Sequence, residues 1–306
     1  MDKFRSFSFT KHFKVFAIIS AVLIAAGLVG LILSLCGVSN VFNFDIDFVG
    51  GTTFEFQLDR TADKAVTDHV AELYEQALGR KPSSVTSTGE TGVRIKALEL
   101  TDAEVETVRD AVVQAYGVDV EKGYQVERVS ASVGKDLTRS AFLASGVAVL
   151  LILLYIAIRF EFRSGIAAII CLVHDLLVML SMYIIFRIPF NMNFIAAALT
   201  IFGYSINATI VVFDRIRENR KKEMGKRGVS FADIVDKSIH QTMTRSLNTT
   251  ITTLVVMVML LILGVSSIRN FAAPICFGVI AGCFSSVCLS GPLWNLMTPK
   301  GDVKTK

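Results

Sequence analysis

Cysteine is scarce in this sequence, and its placement excludes the common cysteine-based sites. The five cysteines lie in or beside strongly apolar segments, and none falls between residues 38 and 134: Cys36, Cys171, Cys276, Cys283 and Cys288. A disulfide framework needs paired cysteines in an exposed domain, and zinc sites use closely spaced pairs. We therefore expect neither kind of site, and interpret these residues as small apolar side chains.

Patterns typical of enzymes are also missing. The four histidines are dispersed along the chain, and no Ser-His-Asp, metal-binding or nucleotide-binding pattern stands out. Gly50-Gly51 is not a phosphate loop, because no helix with a Lys or Ser follows it. His69 lies in a helical pattern without a nucleophile nearby in sequence, so we expect it to face solvent. The sequence therefore predicts no enzyme activity and no cofactor.

Hydrophobic residues, in contrast, make up 52% of the 306 residues, and the mean hydropathy is +0.55. About 20 apolar residues are needed to cross the hydrocarbon core of a bilayer. Six stretches of this kind occur, and Asp175 is their only charged residue: Val15 to Leu35, Ala141 to Ile158, Gly165 to Phe186, Phe194 to Phe213, Leu247 to Ile268 and Phe271 to Trp294. We predict a membrane protein with six spans, the first retained as an anchor rather than cleaved.

Charge is distributed unevenly between the two sides of these spans. Residues 38–134 carry 17 acidic and 9 basic residues, a net charge of −8, within a chain whose total is +4. The basic residues cluster before the first span, between the second and third, after the fourth, and in the tail: Lys3, Arg5, Lys11, Lys14, Arg159, Arg163, the run Arg215 to Arg227, Lys300, Lys304 and Lys306. By the positive-inside rule these segments are cytoplasmic, as are both termini. The basic run is therefore interpreted as a topology signal, with a partner-docking surface as the alternative and no nucleic-acid partner.

Residues 45–133 have the pattern of a small α+β domain. "FDIDFVGGTTFEFQL" alternates apolar and polar residues around Gly50-Gly51, as a strand with a bulge does. A helix, a hairpin around "GETG", a second helix opened by the capping box Thr101 to Glu104, and the strand "YQVERVSASV" follow. The order β-α-β-β-α-β predicts a ferredoxin-like domain, which we interpret as a docking module.

These patterns predict an α-helical polytopic membrane protein with an extracytoplasmic ferredoxin-like domain between spans one and two. The expected divisions are the N-terminus and first span (1–37), the extracytoplasmic domain (38–134), the five-helix membrane domain (135–297) with a cytoplasmic loop (214–245), and a cytoplasmic tail (298–306). Membrane lipid is the expected surrounding of the spans.

Asp175 is the most unusual residue of the apolar spans. An ionisable group at mid-depth costs about 2.5 to 3.5 kcal/mol on insertion scales, so it normally faces other helices and indicates a function. We consider a role in proton movement, with a buried structural acceptor as the alternative. The neighbouring His174 points about 100° away, so the two side chains need not touch. A neutral histidine bonded to another helix is its simpler interpretation.

The fourth span carries a polar stripe formed by Thr200, Tyr204 and Asn207, with Gly203 beside it to allow close helix approach. An amide at this depth usually joins helices and cannot carry a proton. Asp214, at the cytoplasmic boundary, is expected to form an interfacial ion pair, with proton coupling as the alternative.

Further polar and small residues extend this pattern into neighbouring helices. Ser230 begins a second capping pattern, "SFAD", for a helix that enters the fifth span at Arg245. We expect Thr209 and Thr249 to continue the polar lining. Gly278 and Gly282, followed by Ser285 and Ser286, form a close-packing face in the last span.

Seven segments together resemble the SecF branch of the SecD/SecF family of bacterial preprotein translocase subunits, in the resistance-nodulation-division superfamily. They occur in the family's order, and the match as a whole runs from about residue 13 to 297: "DFVGGTTFEF", "SVGKDL", "RFEFRSGIAAI", "HD" at 174–175, "NFIAAALTIFGYSINATIVVFDRIREN", "QTMTRSLNTTITTL" and "GVIAGCFSSVCLSGPLWNL". The resemblance implies a six-span half fold in the bacterial inner membrane, paired with SecD. It also implies the SecYEG channel, YajC, YidC and the translocating preprotein as partners, and protons as the coupling ion.

The sequence departs from this family at one position. Relatives usually read G-Y-S-I-N-D-T, with an acid that resembles a proton-carrying site, whereas this chain has Asn207-Ala208-Thr209. By resemblance, Arg245 is the basic partner of that missing acid, and Asp214 is the acid of the "FDRIREN" motif. Three functions therefore stay open: an auxiliary subunit for proton-driven protein export, a proton-driven exporter of small molecules or lipids, and a non-conducting scaffold.

Overall fold

A computed structural model describes residues 7–36, 46–186, 188, 190–223, 229–264 and 266–298. Some sequence-based expectations concern residues outside these ranges: Lys3, Arg5, the start of the predicted domain at 38–45, Arg227, and the tail lysines Lys300, Lys304 and Lys306. The chain forms two compact units, one of residues 1–43 with 144–306 and one of residues 44–143.

The secondary structure alternates long apolar helices with one α+β segment. The helices are α1 (Phe9–Leu35), α2 (Ile46–Val49), α3 (Lys64–Leu78), α4 (Asp102–Tyr116), α5 (Ala131–Arg159), α6 (Phe162–Ile185), α7 (Met192–Glu223), α8 (Phe231–Leu263), α9 (Ser266–Phe284) and α10 (Gly291–Met297). The strands are β1 (Gly51–Gln57), β2 (Ser84–Thr88), β3 (Gly92–Ala97) and β4 (Tyr124–Val129). A π-helical segment, Ser285–Ser290, joins α9 to α10.

The six predicted spans are confirmed. By length and composition, six helical segments of the described chain can cross a membrane: Phe9–Leu33, Ser132–Arg159, Phe162–Ile185, Met192–Glu223, Phe231–Leu263 and Ile268–Met297. Several helices are longer than their apolar cores, because their charged ends stay helical. The predicted Ser230 cap is also confirmed, since its side chain accepts from the backbone N–H of Asp233 and so begins α8.

The helices of the membrane unit differ strongly in burial. α6 is enclosed by α1, α7, α9, the π-helical segment and α10, and its small residues Ala167, Ala168 and Cys171 are fully buried. Small side chains let neighbouring helices approach closely where lipid offers no hydrophobic driving force between them. In contrast, α1, α5 and α8 bury few of the residues in their apolar segments within the single chain.

The glycines expected at helix contacts behave in two ways. A Cβ atom on Gly278 would lie 2.0 Å from Cδ1 of Ile201, and one on Gly282 would lie 3.3 Å from Cβ of Ser205. These two glycines therefore allow α9 to lie against α7. Gly203 differs from the expectation, because it is exposed and no described atom would lie within 4 Å of its Cβ. No close approach is made through Gly203 within the described part of this chain.

The α+β unit has the predicted order β1-α3-β2-β3-α4-β4. Its sheet has the strand order β2-β3-β1-β4 with antiparallel pairs, which confirms the ferredoxin-like arrangement. Its apolar core contains Phe54, Phe56 and Ile95 from the sheet, with Val70 and Val108 from the helices. His69 is exposed, as predicted, and its Nδ1 lies 2.6 Å from the Tyr116 hydroxyl of the other helix.

The predicted bulge at Gly50-Gly51 is wrong. Residues 46–49 form the short helix α2, whose turn is closed by the Gly50 N–H donating to the Ile46 carbonyl at 2.8 Å. Gly50 and Gly51 then have φ values of 75° and 144°, which glycine adopts readily. A Cβ on Gly51 would lie 2.5 Å from the Ala97 carbonyl oxygen of β3. The two glycines therefore redirect the chain from a helical turn into β1, and strand periodicity alone does not reveal that turn.

The capping box of α4 is confirmed. The Thr101 N–H and hydroxyl donate to the Glu104 carboxylate at 2.8 and 2.9 Å, and the Glu104 N–H donates back to the Thr101 hydroxyl. The Thr101 backbone N–H, followed by the hydroxyl, lowers the pKa of Glu104 below its ordinary value of 4.5. A depressed folded-state pKa stabilises the fold above the unfolded-state value, and this stabilisation is lost as pH falls through the folded value.

Thr101→Ala is expected to destabilise α4 by about 1 kcal/mol, because it removes the hydroxyl of the N-cap. The measurement is hydrogen exchange of the α4 amides in the full chain at neutral pH. Thr107→Ala is the matched control, since the exposed Thr107 hydroxyl donates only to the Ala103 carbonyl within the same helix. Equal exchange rates in the two variants would contradict the capping role of Thr101.

Gly278→Val is expected to destabilise the purified chain by about 1 to 3 kcal/mol, because added side-chain atoms overlap Ile201. Gly203→Val is the control, since it makes the same change in the neighbouring helix where space is open. Thermal unfolding in detergent measures both variants. A larger loss of thermal stability for the Gly203 variant would show that the contact between α9 and α7 at Gly278 does not limit the stability of the chain.

Candidate functional site

Asp175 lies at the centre of a buried polar cluster in the membrane unit. Its side chain is 0% exposed, on the enclosed helix α6. Oδ2 accepts hydrogen bonds from the hydroxyls of Ser205 on α7 and of Ser285 in the π-helical segment, the latter at 2.9 Å. Oδ1 lies 2.8 Å from Nδ1 of His174. Three hydrogen-bonding groups therefore converge on one buried carboxyl group.

His174 connects this cluster to a fourth element. Its Nε2 lies 2.8 Å from the hydroxyl of Ser20 on α1, and both side chains are buried. The expected hydrogen bond from His174 to another helix is therefore present. His174 and Asp175 are also in contact, although side chains one position apart leave a helix about 100° apart. An ionised carboxylate only accepts hydrogen bonds, so Nδ1 donates to it in that state.

The electrostatics of the cluster depend on hydroxyl groups and one histidine. Among the described residues, no Lys or Arg forms an ion pair with Asp175. A carboxylate removed from water is strongly disfavoured unless hydrogen bonds or a counter-charge compensate it. Ser205 and Ser285 supply the hydrogen bonds, and His174 is the neighbouring group able to become cationic. The cluster can therefore hold a proton on Asp175, on His174 or on both.

The helix that contributes Ser285 is irregular at that residue. The regular α-helix ends at Phe284, and Ser285 begins the π-helical segment Ser285–Ser290. The Ser285 hydroxyl also lies 3.2 Å from the Gly282 carbonyl, an alternative acceptor within its own helix. Short π-helical segments are rare and frequently occur at functional sites. Ser285 can therefore exchange its partner between Asp175 and the local backbone.

An apolar cavity of about 580 Å³ borders the histidine end of the cluster. It lies between α1, α6 and α9, and its walls include Ser20, His174 and Phe284. The Phe284 ring stacks against the imidazole, with ring centroids 6.2 Å apart. Asp175 itself does not line this cavity, so the two ionisable groups have different surroundings.

The predicted polar stripe of α7 lies elsewhere, on a face that the single chain leaves open. Thr200, Gly203 and Asn207 are exposed, and their spacing places them on one side of the helix. Tyr204, beside them, reaches α8, where its hydroxyl lies 2.7 Å from that of Thr250. Because the Thr250 hydroxyl donates to the Ser246 carbonyl, the Tyr204 hydroxyl is the donor in this pair. The structure therefore separates the stripe from the Asp175 cluster.

Within the described residues, no hydrogen bond or ion pair joins Arg245 to the stripe. Arg245 is exposed on α8, and within the described ranges its guanidinium has no ion pair or hydrogen bond. Thr249 is also exposed, and its hydroxyl donates to its own helix backbone. Ala208 is partly buried, and Thr209 is buried. The pairing of Arg245 with this lining therefore stays a prediction.

Asp214 forms the interfacial ion pair that we expected. Nη2 of Arg159, at the end of α5, lies 2.9 Å from both carboxylate oxygens of Asp214. Arg217, one turn further along α7, is 3.6 Å from the same carboxylate. Asp214 is thus already neutralised by cations and lies apart from Asp175.

Sequence reasoning did not single out Ser20 or Ser205, and it treated Ser285 only as part of a packing face. Each is a hydroxyl in an otherwise apolar span, which is the signal that points to them. Hydroxyls in spans often bond their own backbone instead. Their convergence on α6 is visible only once the helices are assembled.

Comparison with known proteins finds relatives that match this chain in sequence over most of its length. The family model described as "Protein export membrane protein SecD/SecF, C-terminal" matches residues 108–300. The chain is 36% identical to protein translocase subunit SecF of Acidaminococcus fermentans, over 97% of this chain and 99% of that protein. It is 38% identical to protein translocase subunit SecDF of Bacillus subtilis, covering 95% of this chain but only 38% of that longer protein.

The structural comparison extends this similarity to the fold. The crystal structure of SecDF from Thermus thermophilus, titled as a translocon-associated membrane protein, superposes with a TM-score of 0.79 at 31% identity. The superposition covers 94% of this chain and 38% of that one. A SecDF structure in a super-membrane-facing form gives a TM-score of 0.61 at 28% identity. These matches confirm the predicted fold class, and the chain belongs to the SecD/SecF family of protein export membrane proteins.

Proposed function

We propose that this chain is an auxiliary subunit of the Sec preprotein translocase that couples proton movement to protein export. It acts with a SecD-related partner beside the SecYEG channel, and YajC and YidC belong to the same proposed assembly. Two relatives, of 36% and 38% identity, are named translocase subunits, which supports the role in export. No covalent chemistry is assigned to this chain, and the proton is its coupling ion.

The proposed coupling of proton movement to export rests on the Asp175 cluster. A proton arriving at the carboxyl group changes its hydrogen bonds to Ser205 and Ser285, and therefore the contacts between α6, α7 and the π-helical segment. One charge moving through 100 mV gains about 2.3 kcal/mol, enough to shift a two-state equilibrium roughly fiftyfold. Because His174 contacts both Asp175 and Ser20, the same event reaches α1.

The open stripe on α7 supports a SecD-related partner. Thr200, Gly203 and Asn207 are small or polar groups, which favour helix contacts over exposure to lipid. The Bacillus subtilis and Thermus thermophilus relatives named SecDF are much longer than this chain, which covers 38% of each. We infer that a SecD-related partner, corresponding to the part of those relatives that this chain does not cover, covers this stripe.

The proposed location is the bacterial inner membrane. The basic residues at the shared end of α5 and α7 mark the cytoplasmic side by the positive-inside rule. The acidic α+β unit then faces outward, where exported chains emerge, and both termini are cytoplasmic.

Ala208 distinguishes this chain within the proposal. The family resemblance implies an acid there, and Arg245 as its partner. Alanine carries no proton, so Asp175 is the carboxyl group left within the described spans to change its charge at mid-depth. The absence of an acid at 208 also supports a second candidate, a scaffold that positions translocon subunits without conducting protons.

Asp175→Asn is expected to abolish the proton-dependent stimulation of export, because an amide does not titrate. The measurement is translocation into inverted vesicles that hold this chain, its SecD-related partner and SecYEG, with and without a proton gradient. Asp214→Asn is the control, since it removes a carboxylate of the same membrane unit at the exposed ion pair. Full stimulation with Asn at 175 would show that the carboxyl is only an acceptor for the two serines.

Ala208→Asp is expected to increase proton-dependent export in the same vesicles, because it restores a titratable group to the fourth span. Proton leak measured with and without the partner distinguishes the coupled subunit from the scaffold. Ala208→Asn is the matched control for polarity and size. Equal export with Ala and Asp at 208 would contradict a coupling role for this position.

A further inference from the structure

A basic cavity lies at the end of the membrane unit where α5 meets α7. Its volume is about 610 Å³, and its lining is mostly charged: Arg159, Phe160, Glu161, Arg217, Arg220 and Lys221. α5 ends at Arg159, α6 begins at Phe162, and the short connection between them forms one wall. The opposite wall is the charged extension of α7. The cavity is therefore built from two segments far apart in sequence.

The acids of this region do not neutralise its cations. Arg159 and Arg217 share Asp214, and Arg220 pairs with Glu161 at 3.1 Å. The lining residues together with Asp214 comprise four cations and two carboxylates, a formal net charge of +2. Lys221 is exposed, and within the described ranges it has no ion pair. The cavity therefore attracts an anion.

The N–H groups of the Arg217 guanidinium are also not all hydrogen-bonded within the described residues. Its guanidinium lies over the Phe160 ring at 5.1 Å, and Nη1 donates to the Arg159 carbonyl at 3.3 Å. Its Nε is buried and has no hydrogen-bond partner among the described residues. An arginine has five N–H donors in a planar arrangement that suits the oxygens of a phosphate group. The cluster therefore retains hydrogen-bonding capacity after its own ion pairs are made.

Exposed apolar side chains flank the cations. Ile158 directly precedes Arg159 and is 79% exposed, and Phe162 directly follows Glu161 and is 83% exposed. Other apolar side chains of α5, such as Leu150 and Leu154, are also exposed. In a membrane-spanning chain these groups contact hydrocarbon, so the cations lie at the level of lipid headgroups. A ligand that satisfies both surroundings has an anionic head and apolar tails.

We propose that this cavity binds the phosphate headgroup of an anionic phospholipid. The four cations of the lining, Arg217 included, surround the phosphate, and the acyl chains lie along the exposed apolar face of α5 beside Ile158 and Phe162. Basic cavities between helices at the cytoplasmic surface are a general form of headgroup site. Because Arg159 also holds Asp214, the bound lipid stabilises the junction of α5 and α7.

The test is a lipid titration of the purified full chain in detergent, with short-chain phosphatidylglycerol, phosphatidylcholine and inorganic phosphate as separate probes. Native mass spectrometry counts the bound lipids. We expect one phosphatidylglycerol to bind preferentially, with phosphatidylcholine and free phosphate at least about tenfold weaker. Equal binding of phosphatidylcholine would overturn the proposal, as would free phosphate binding as tightly as the lipid.

The double variant Arg220→Gln with Lys221→Gln is expected to weaken phosphatidylglycerol binding about tenfold or more, since each surface cation contributes roughly a factor of five. Arg215→Gln with Lys222→Gln is the matched control. It removes the same charges from the same helix, but these two residues pair with Glu218 and do not line the cavity. Equal weakening by both double variants would mean nonspecific charge attraction and would overturn the site.

A single substitution covers the case in which the double variant does not fold. Lys221→Glu reverses the charge of an exposed residue, so thermal unfolding of the chain should stay unchanged. Lys222→Glu is its control at the next position. We expect weaker lipid binding only for the Lys221 variant, and unchanged binding for it would contradict the proposal.

Discussion

The burial of one carboxyl group constrains the membrane unit more than any other feature. Asp175 has no access to water, and the described chain provides it with no Lys or Arg partner. Its hydrogen bonds come from a histidine and two serines, and that histidine bonds a third serine. These groups belong to α1, α6, α7 and the π-helical segment. The positions of these elements and the satisfaction of the carboxyl group are therefore linked, because displacing one of them leaves a buried polar group unpaired.

A second constraint follows from the two kinds of helix surface. The surfaces around α6 use small residues and glycines, which bring backbones close and allow the buried hydrogen bonds to form. The outer surfaces of α1, α5 and α8 are apolar and suit lipid. The open face of α7 differs from both, because it presents Thr200, Gly203 and Asn207 at mid-span. That difference is the reason for assigning the proposed partner helix, rather than lipid alone, to this face.

The sequence and structure agree best where a local rule decides the outcome. Uninterrupted apolar length predicted all six spans, and side-chain capping at Thr101 and Ser230 placed the starts of α4 and α8. Agreement fails where distant residues decide. Gly50-Gly51 looked like a bulge because alternating residues mimic a strand, yet the chain there forms a helical turn before β1. Gly203 has a small-residue signal like that of Gly278, but only Gly278 meets a neighbour within this chain.

The sequence by itself determined the number of spans, the order of elements in the α+β unit and the presence of an ionisable group at mid-span. These properties depend on hydrophobic length, on capping and on the cost of burying charge. Each of these can be read from residues that lie close together in the sequence. Only the tertiary structure decided which side chains meet Asp175, that Asp214 pairs with Arg159, and that the stripe on α7 stays open. The physical reason is that helix rotation and packing select these contacts among residues up to 154 positions apart, such as Ser20 and His174. Local sequence patterns therefore do not predict these contacts.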